Sequence, residues 1–267
     1  MRLMRRDVLK RIDRLIVVGD SISEGIADEK INGKYRGWAD RVADVIASQN
    51  PDFKYANLAV RGKLLPQVVE HQVPVALKLI GPNSILSFHA GANDVIRPNY
   101  RPEITLPAYA KAVRDLANAG AQLMLFTVLE ETNRKGRIQT IWRERFSVFN
   151  QQVREIGKEV GAVVIDGNYN EAFKDVRYLD RDRLHLNAKG HWLLAQGVLE
   201  QLNLPFDPTY KEPLPPMKPK PKVVQGIAFT AWTITFAIPW IIRRARGKSS
   251  GDGRSAKYPE LISWPKR

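Results

Sequence analysis

No cysteine occurs among the 267 residues, which excludes disulfides, Cys-ligated zinc and thiol catalysis and fits a reducing compartment. Acids are the next scarcity: 28 Asp and Glu stand against 42 Lys and Arg, for a net charge of +14. The imbalance is local. Residues 211–267 carry twelve Lys/Arg against three acids and residues 1–14 carry six against two, which leaves residues 15–210 close to neutral. A surplus confined to the ends describes solvated basic tails, or tails attracted to an anionic membrane or nucleic acid, with nucleic acid the less expected partner. Long uncharged runs are missing too, with one exception near the C-terminus. The opening stretch MRLMRRDVLKRIDRL contains no apolar run able to form a signal-peptide core, so no secretory signal peptide is expected.

What is present is an alternation. Short β-rich apolar runs at 15–19, 54–60, 84–90, 122–128 and 162–166 are separated by amphipathic stretches near 37–49, 64–79, 105–119, 138–160 and 187–202. This pattern predicts an α/β fold with a parallel sheet covered by helices on both faces, because each parallel crossover needs a helix. In such a sheet, ligands bind beyond the carboxyl ends of the strands. Prolines interleaved with lysines then make 205–222 a stiff, extended linker. The next twenty residues, VVQGIAFTAWTITFAIPWII at 223–242, hold no charge and are long enough to cross a bilayer. Gln225, Gly226, Thr230 and Thr233 near one helical face, Pro239, and basic residues on both flanks equally describe an amphipathic helix packed on the domain or lying on a membrane. Both readings stay open, and 247–267 reads as a basic Gly/Ser-rich tail.

The predicted strand ends carry a short list of chemically capable residues. Gly19-Asp20-Ser21 follows the first run, Gly62 the second and Asn93 the third, while Asp182 precedes His185 by three positions. A serine hydroxyl is a weak nucleophile and needs a base; His185 is the candidate, with Asp182 to orient its ring. The backbone N–H groups of Ser21 and Gly62 and the amide of Asn93 are candidate donors to a tetrahedral oxyanion. Taken singly, each has a plainer reading: a helix cap for Ser21, a turn for Gly62, a loop cap for Asn93 and Asp94. Their order at successive strand ends makes chance a poor account.

The segments GDSISEG, NLAVRG, GAND and DRLH resemble the four sequence blocks of the SGNH hydrolases, also called the GDSL esterase/lipase superfamily. YRGWADRVA and NLAVRGKLL are most similar to its intracellular, actinobacterial-type members, a resemblance that implies a cytoplasmic location, with or without membrane association. The resemblance implies a flavodoxin-like three-layer α/β/α sandwich around a five-stranded parallel sheet, and ester hydrolysis with no cofactor and no metal. By position it makes Ser21 the nucleophile, His185 the base, Asp182 its partner, and Ser21, Gly62 and Asn93 the oxyanion hole. Ile22 stands where the eponymous motif has leucine, a conservative apolar change. The Gly-x-Ser-x-Gly elbow of ordinary α/β-hydrolases is missing. The domain plan is then a basic segment at 1–14, a catalytic domain at 15–204, a linker at 205–222, an apolar or amphipathic helix at 223–246 and the tail at 247–267.

Three other histidines weigh less. His89 reads as a hydrogen-bonded structural residue beside the site, His191 as a packed or surface residue and His71 as an ordinary helix position; none forms a metal-ligand pattern. The Arg-rich loops VIRPNYRPEI and EETNRKGRIQTIWRERF, with Tyr100 and Trp142, read equally as contacts for an acidic or sugar-like acyl carrier and as a solvated helix face. The expected activity is that of a serine esterase acting on a small or medium acyl ester. Two alternatives are an acyltransferase using the same residues, and a membrane- or nucleic-acid-binding protein with a vestigial site.

Overall fold

The computed structural model describes residues 11–130, 137–219 and 221–265. The first ten residues of the expected basic segment, residues 131–136 of the second Arg-rich loop, Lys220 of the linker and the last two residues of the tail lie outside this set.

Five strands, β1 (Arg14–Gly19), β2 (Lys54–Asn57), β3 (Ser84–His89), β4 (Gln122–Phe126) and β5 (Val163–Ile165), form a parallel sheet in the order β5-β4-β3-β1-β2. Register is set by pairs such as Ile16 with Ala56 on one side and Ile16 with Leu86 on the other. Because side chains alternate along a strand, Leu15 and Val17 of β1 enter one core and Ile16 and Val18 enter the other. Both faces are therefore covered, which explains the unbroken apolar run in the sequence.

On the first face lie α2 (Gly37–Gln49) and α8 (Ala188–Gln201), whose Trp38, Val42, Ile46, Leu193 and Val198 are buried together. The opposite face is covered by α3 (Leu65–His71), α4 (Val73–Leu79), α6 (Pro102–Asn118) and α7 (Arg137–Glu159). Two short helices, α1 (Ser21–Glu24) and α5 (Ala92–Val95), begin just after β1 and β3. The stretch expected as one helix over 64–79 is two helices. Gln72 separates them and Pro74 sits in the first turn of α4, where its missing N–H costs no helical hydrogen bond.

The sheet has six strands rather than the expected five. The sixth, β6 (Tyr258–Ser263), comes from the stretch read as tail and pairs antiparallel with β2, Tyr55 facing Ile262 and Asn57 facing Tyr258. Pro259 is tolerated because this is an edge strand. The ring of Trp264 meets those of Tyr55 and Tyr258 at 5.0 and 5.5 Å, and its indole N–H donates to Asp44 at 2.8 Å. Lys257 is buried; its ammonium donates to Asp40 at 2.7 Å and to the carbonyls of Tyr35 and Arg36. Chain end and sheet are thus one packed unit. The uncharged run forms α9 (Lys222–Trp232), a π-helical turn at Thr233–Ala237 and α10 (Ile238–Ala245).

Candidate active site

In the strand order found here, the crevice lies between β1 and β3, where the chain reverses its direction across the sheet. Ser21 follows β1 at the first position of α1 and is almost fully buried. Gly19 is required just before it, since a Cβ there would lie 2.3 Å from the His89 carbonyl oxygen of the neighbouring strand. The side chain of Gln72 grips this point from the α3–α4 junction: its oxygen accepts from the Gly19 N–H at 2.8 Å and its NH2 donates to the Gly19 carbonyl at 2.9 Å.

After β3, Asn93 and Asp94 face two ways. The Asn93 amide donates to Asp20 Oδ2 at 2.9 Å and to the Lys63 carbonyl at 3.2 Å. Asp94 accepts from the Leu65 N–H at 2.8 Å, so it closes the amino end of α3 and ties the loop after β2 to the loop after β3. Burial pushes the Asp94 carboxyl up to about 6 and the Asp20 carboxyl up to about 7, against the hydrogen bonds both accept.

Gly62, in the loop after β2, has φ of 70°, a conformation open to glycine at little cost. Its loop is clamped to α1 by Glu24, which takes the Arg61 N–H at 2.7 Å and forms an ion pair with the Arg61 guanidinium. From the other side, Ser249 Oγ donates to the Gly62 carbonyl at 3.1 Å. Among the described residues the N–H groups of Ser21 and Gly62 donate to no protein acceptor; Ser21 lines the cavity described below, whereas Gly62 lies beside Ser249 and Ser250 and is not among the lining residues.

Asp182 and His185 share one turn. The Asp182 Oδ2 to His185 Nδ1 distance is 2.6 Å, while Oδ1 accepts the backbone N–H groups of Leu184 and His185 at 2.8 and 3.0 Å. Burial alone would raise the Asp182 carboxyl, but these hydrogen bonds and the imidazole hold it below its ordinary value. Asp182 is therefore ionised throughout the neutral range, the state that fixes the proton on Nδ1 and leaves Nε2 as acceptor. Ser21, Asn93 and His185 all line one cavity of about 200 Å³, which is walled by Ile22, Ile96, Phe126, Trp142, Phe146 and Phe173 among others. Among the described residues no hydrogen bond joins Ser21 Oγ to His185, a contact that commonly tightens only when substrate is present.

His89 also lines the cavity; it is buried against the Phe126 ring at 5.3 Å, and burial lowers it to about 4, so it is neutral. His191 is buried with its Nε2 on the Ile26 carbonyl at 2.9 Å, and His71 is exposed. Among the described residues no cluster of His, Asp and Glu is arranged to hold a metal ion. Of the two aromatics in the Arg-rich loops, Trp142 reaches the cavity, whereas Tyr100 stacks under Arg145 at 5.6 Å.

Gln72, Arg61, Glu24 and Ser249 shape the site; Glu24 and Arg61 fall inside GDSISEG and NLAVRG, while nothing local in the sequence marks Gln72 or Ser249. Replacing Gln72 by Leu is expected to leave the Gly19 N–H and carbonyl unpaired. The stability loss should be about 2–4 kcal/mol by urea unfolding, with a fall in kcat because the turn that carries Ser21 loosens.

The sheet order, with a serine after its first strand and a His–Asp pair at the same carboxyl edge, is the arrangement of a serine hydrolase. A model of the GDSL-like lipase/acylhydrolase family matches residues 17–193, and the chain belongs to that family. It is a serine hydrolase that acts on ester bonds. Solved structures share the fold. Axe2, an acetylxylan esterase from Geobacillus stearothermophilus, is 18% identical with a TM-score of 0.58, over 73% of this chain and 95% of that one. LAE5, an α/β hydrolase from the metagenome of Lake Arreo, is 22% identical with a TM-score of 0.56, over 73% and 98%. The psychrotrophic esterase EstA from Pseudoalteromonas sp. is 16% identical with a TM-score of 0.53, over 72% and 97%. Comparison with curated protein sequences finds no match.

Proposed function

We propose that the protein is a serine esterase that cleaves a carboxylic ester with a small or medium acyl group through an acyl-enzyme on Ser21. The observation that carries this reading is the 2.6 Å Asp182–His185 contact beside a cavity that Ser21 and Asn93 also line. Ser21 Oγ attacks the ester carbonyl while His185 Nε2 takes its proton. The oxyanion is met by the N–H groups of Ser21 and Gly62 and by Asn93, whose longer bond to the Lys63 carbonyl is the one to be exchanged. Collapse of the intermediate expels the alcohol, which receives the proton from His185. Water, deprotonated by the same base, then attacks the acyl carbonyl and frees Ser21. A cavity of about 200 Å³ with mostly aliphatic and aromatic walls suits an acyl chain rather than a whole large substrate.

The test is a nitrophenyl ester series from acetate to decanoate, combined with fluorophosphonate labelling and peptide mapping. Activity should be concentrated in the shorter members and the label should sit on Ser21; label on another serine would overturn the mechanism. Asn93→Ala should lower kcat by about 10²- to 10³-fold with a much smaller change in KM, the signature of an interaction made in the transition state. Product analysis with an added alcohol separates hydrolysis from acyl transfer.

A further inference from the structure

The helical stretch from Lys222 to Arg243, 22 residues long, has none of its most apolar window buried. Trp232 and Trp240 hold it to the rest of the protein. The Trp232 indole N–H donates to the Asp182 carbonyl at 2.9 Å, the Arg183 guanidinium lies 5.1 Å from the Trp232 ring centre, and Trp240 packs on the core beneath. Roughly opposite Trp232, Val223, Ile227, Ile234, Ile238 and Ile241 follow one another at helical spacing and are each at least 44% exposed, and Val224, Phe229 and Ile242 are exposed outside this stripe. An apolar stripe of this kind marks an interaction surface.

Charge identifies the partner. Between Pro213 and Gly251 there are seven Lys or Arg residues and no Asp or Glu, so the stripe is flanked by positive charge alone. A second copy of this chain would bring like charge against like, whereas a sheet of anionic phospholipid headgroups satisfies both the charge and the apolar face.

The way the stretch is tethered decides its orientation. A crossing helix of this length, about 33 Å, would leave Lys222 and Arg243 on opposite sides of a bilayer. Here both ends return to the same domain. Upstream, Arg177 Nη1 donates to the Pro215 carbonyl at 2.7 Å; downstream, Ser249 binds the Gly62 loop and β6 enters the sheet. We propose that residues 222–243 lie in the plane of an anionic phospholipid surface and hold the mouth of the catalytic cavity at the lipid–water boundary. Arg183, Leu184 and His185 of the supporting loop form part of the cavity wall, which places the site beside the docked helix. The placement of the helix is independent of the catalytic reading; its use in delivering an ester rests on that reading.

The full-length protein is sedimented with vesicles of phosphatidylcholine alone or with 30% phosphatidylglycerol, over a salt series. Binding should be at least about tenfold stronger to the anionic vesicles and weaken with salt. An Ile234→Asp, Ile241→Asp double variant should lose about tenfold or more of that binding, while its hydrolysis of a soluble short-chain ester in the absence of vesicles is unchanged. Ser21→Ala should bind vesicles as the parent does, so an error about catalysis would leave the docking result intact. Alkaline carbonate should release the protein. Equal binding to neutral vesicles, binding indifferent to the Asp pair, or resistance to carbonate would each overturn the proposal. So would a dimer that the Asp pair abolishes, or displacement from vesicles by a mixed-sequence oligonucleotide.

Discussion

Ser21→Ala lowers kcat/KM toward a nitrophenyl ester by at least about 10⁴-fold, His185→Ala lowers it about as far, and the double variant falls little further. The expectation follows from the division of labour at the carboxyl edge of β1, β3 and the Asp182 turn. In the proposed mechanism no acyl-enzyme forms without Ser21, and His185 then has no proton to take; without His185, the serine hydroxyl stays protonated at neutral pH. Each loss empties the same step, so the losses do not add. The proposed oxyanion donors remain in both variants, because the Gly62 N–H is untouched and alanine at position 21 keeps its backbone N–H. Residual turnover above the uncatalysed rate should therefore persist in Ser21→Ala and disappear mainly when Asn93 is also removed. Stopped-flow assays with parent and variants, checked for an intact fold by circular dichroism, provide the test. A Ser21→Ala enzyme within tenfold of the parent would place the nucleophile elsewhere.

That expectation could be formed from the sequence because its components are local. Ser21 ends an apolar run, and Asp182 and His185 lie three residues apart, so strand periodicity and a turn suffice to place them. The five parallel strands were legible for the same reason: their apolar runs are short and separated by helical spacing. Residues that hold the site in shape are of another kind. Gln72 reaches Gly19 across 53 positions, Glu24 reaches Arg61 across 37, and Ser249 reaches Gly62 across 187. An amide or a carboxylate at such distances carries no periodic signal; its partner is chosen by the fold. β6 was hidden differently. Pro259, Glu260 and the neighbouring lysine give YPELIS the composition of a solvated tail, and only an edge position beside β2 tolerates it. The uncharged run at 223–242 shows the limit most clearly, since its length and composition suit a spanning helix and a surface helix alike. The in-plane orientation proposed above rests on its ends, and those ends are fixed by contacts far away in the chain.

Replacing Lys257 by Met has the largest expected effect on stability, about 3–5 kcal/mol at pH 8, because it leaves a carboxylate buried without its counter-ion. The side chains of Lys257 and Asp40 are only 4% and 6% exposed. Burial already pushes Asp40 up to about 6 in spite of the ammonium beside it, and lowers Lys257 from its ordinary value. Without the ammonium, Asp40 moves higher still. A carboxyl whose pKa is raised in the folded state destabilises that state increasingly as pH climbs from the unfolded value through the folded one. The deficit of Lys257→Met relative to the parent should thus be greatest above neutrality and shrink as pH falls toward about 6, below which Asp40 is protonated in the folded state of both proteins. Adding Asp40→Asn should recover most of the loss at pH 8, since an uncharged pair has no ionic desolvation to offset. The effect should also reach the site. Asp40 accepts from the Tyr55 hydroxyl at 2.8 Å, Tyr55 accepts from Asn57 at 2.9 Å, and Asn57 donates to the Ser23 carbonyl within α1. A several-fold fall in kcat with little change in KM should therefore accompany the stability loss, and the Asn partner should reverse both. Urea unfolding at pH 5 and pH 8 with parallel kinetics measures all of this. A loss that is the same at both pH values would mean that Lys257 contributes packing alone and that the chain end is fastened by its strand and aromatic contacts, not by its buried charge.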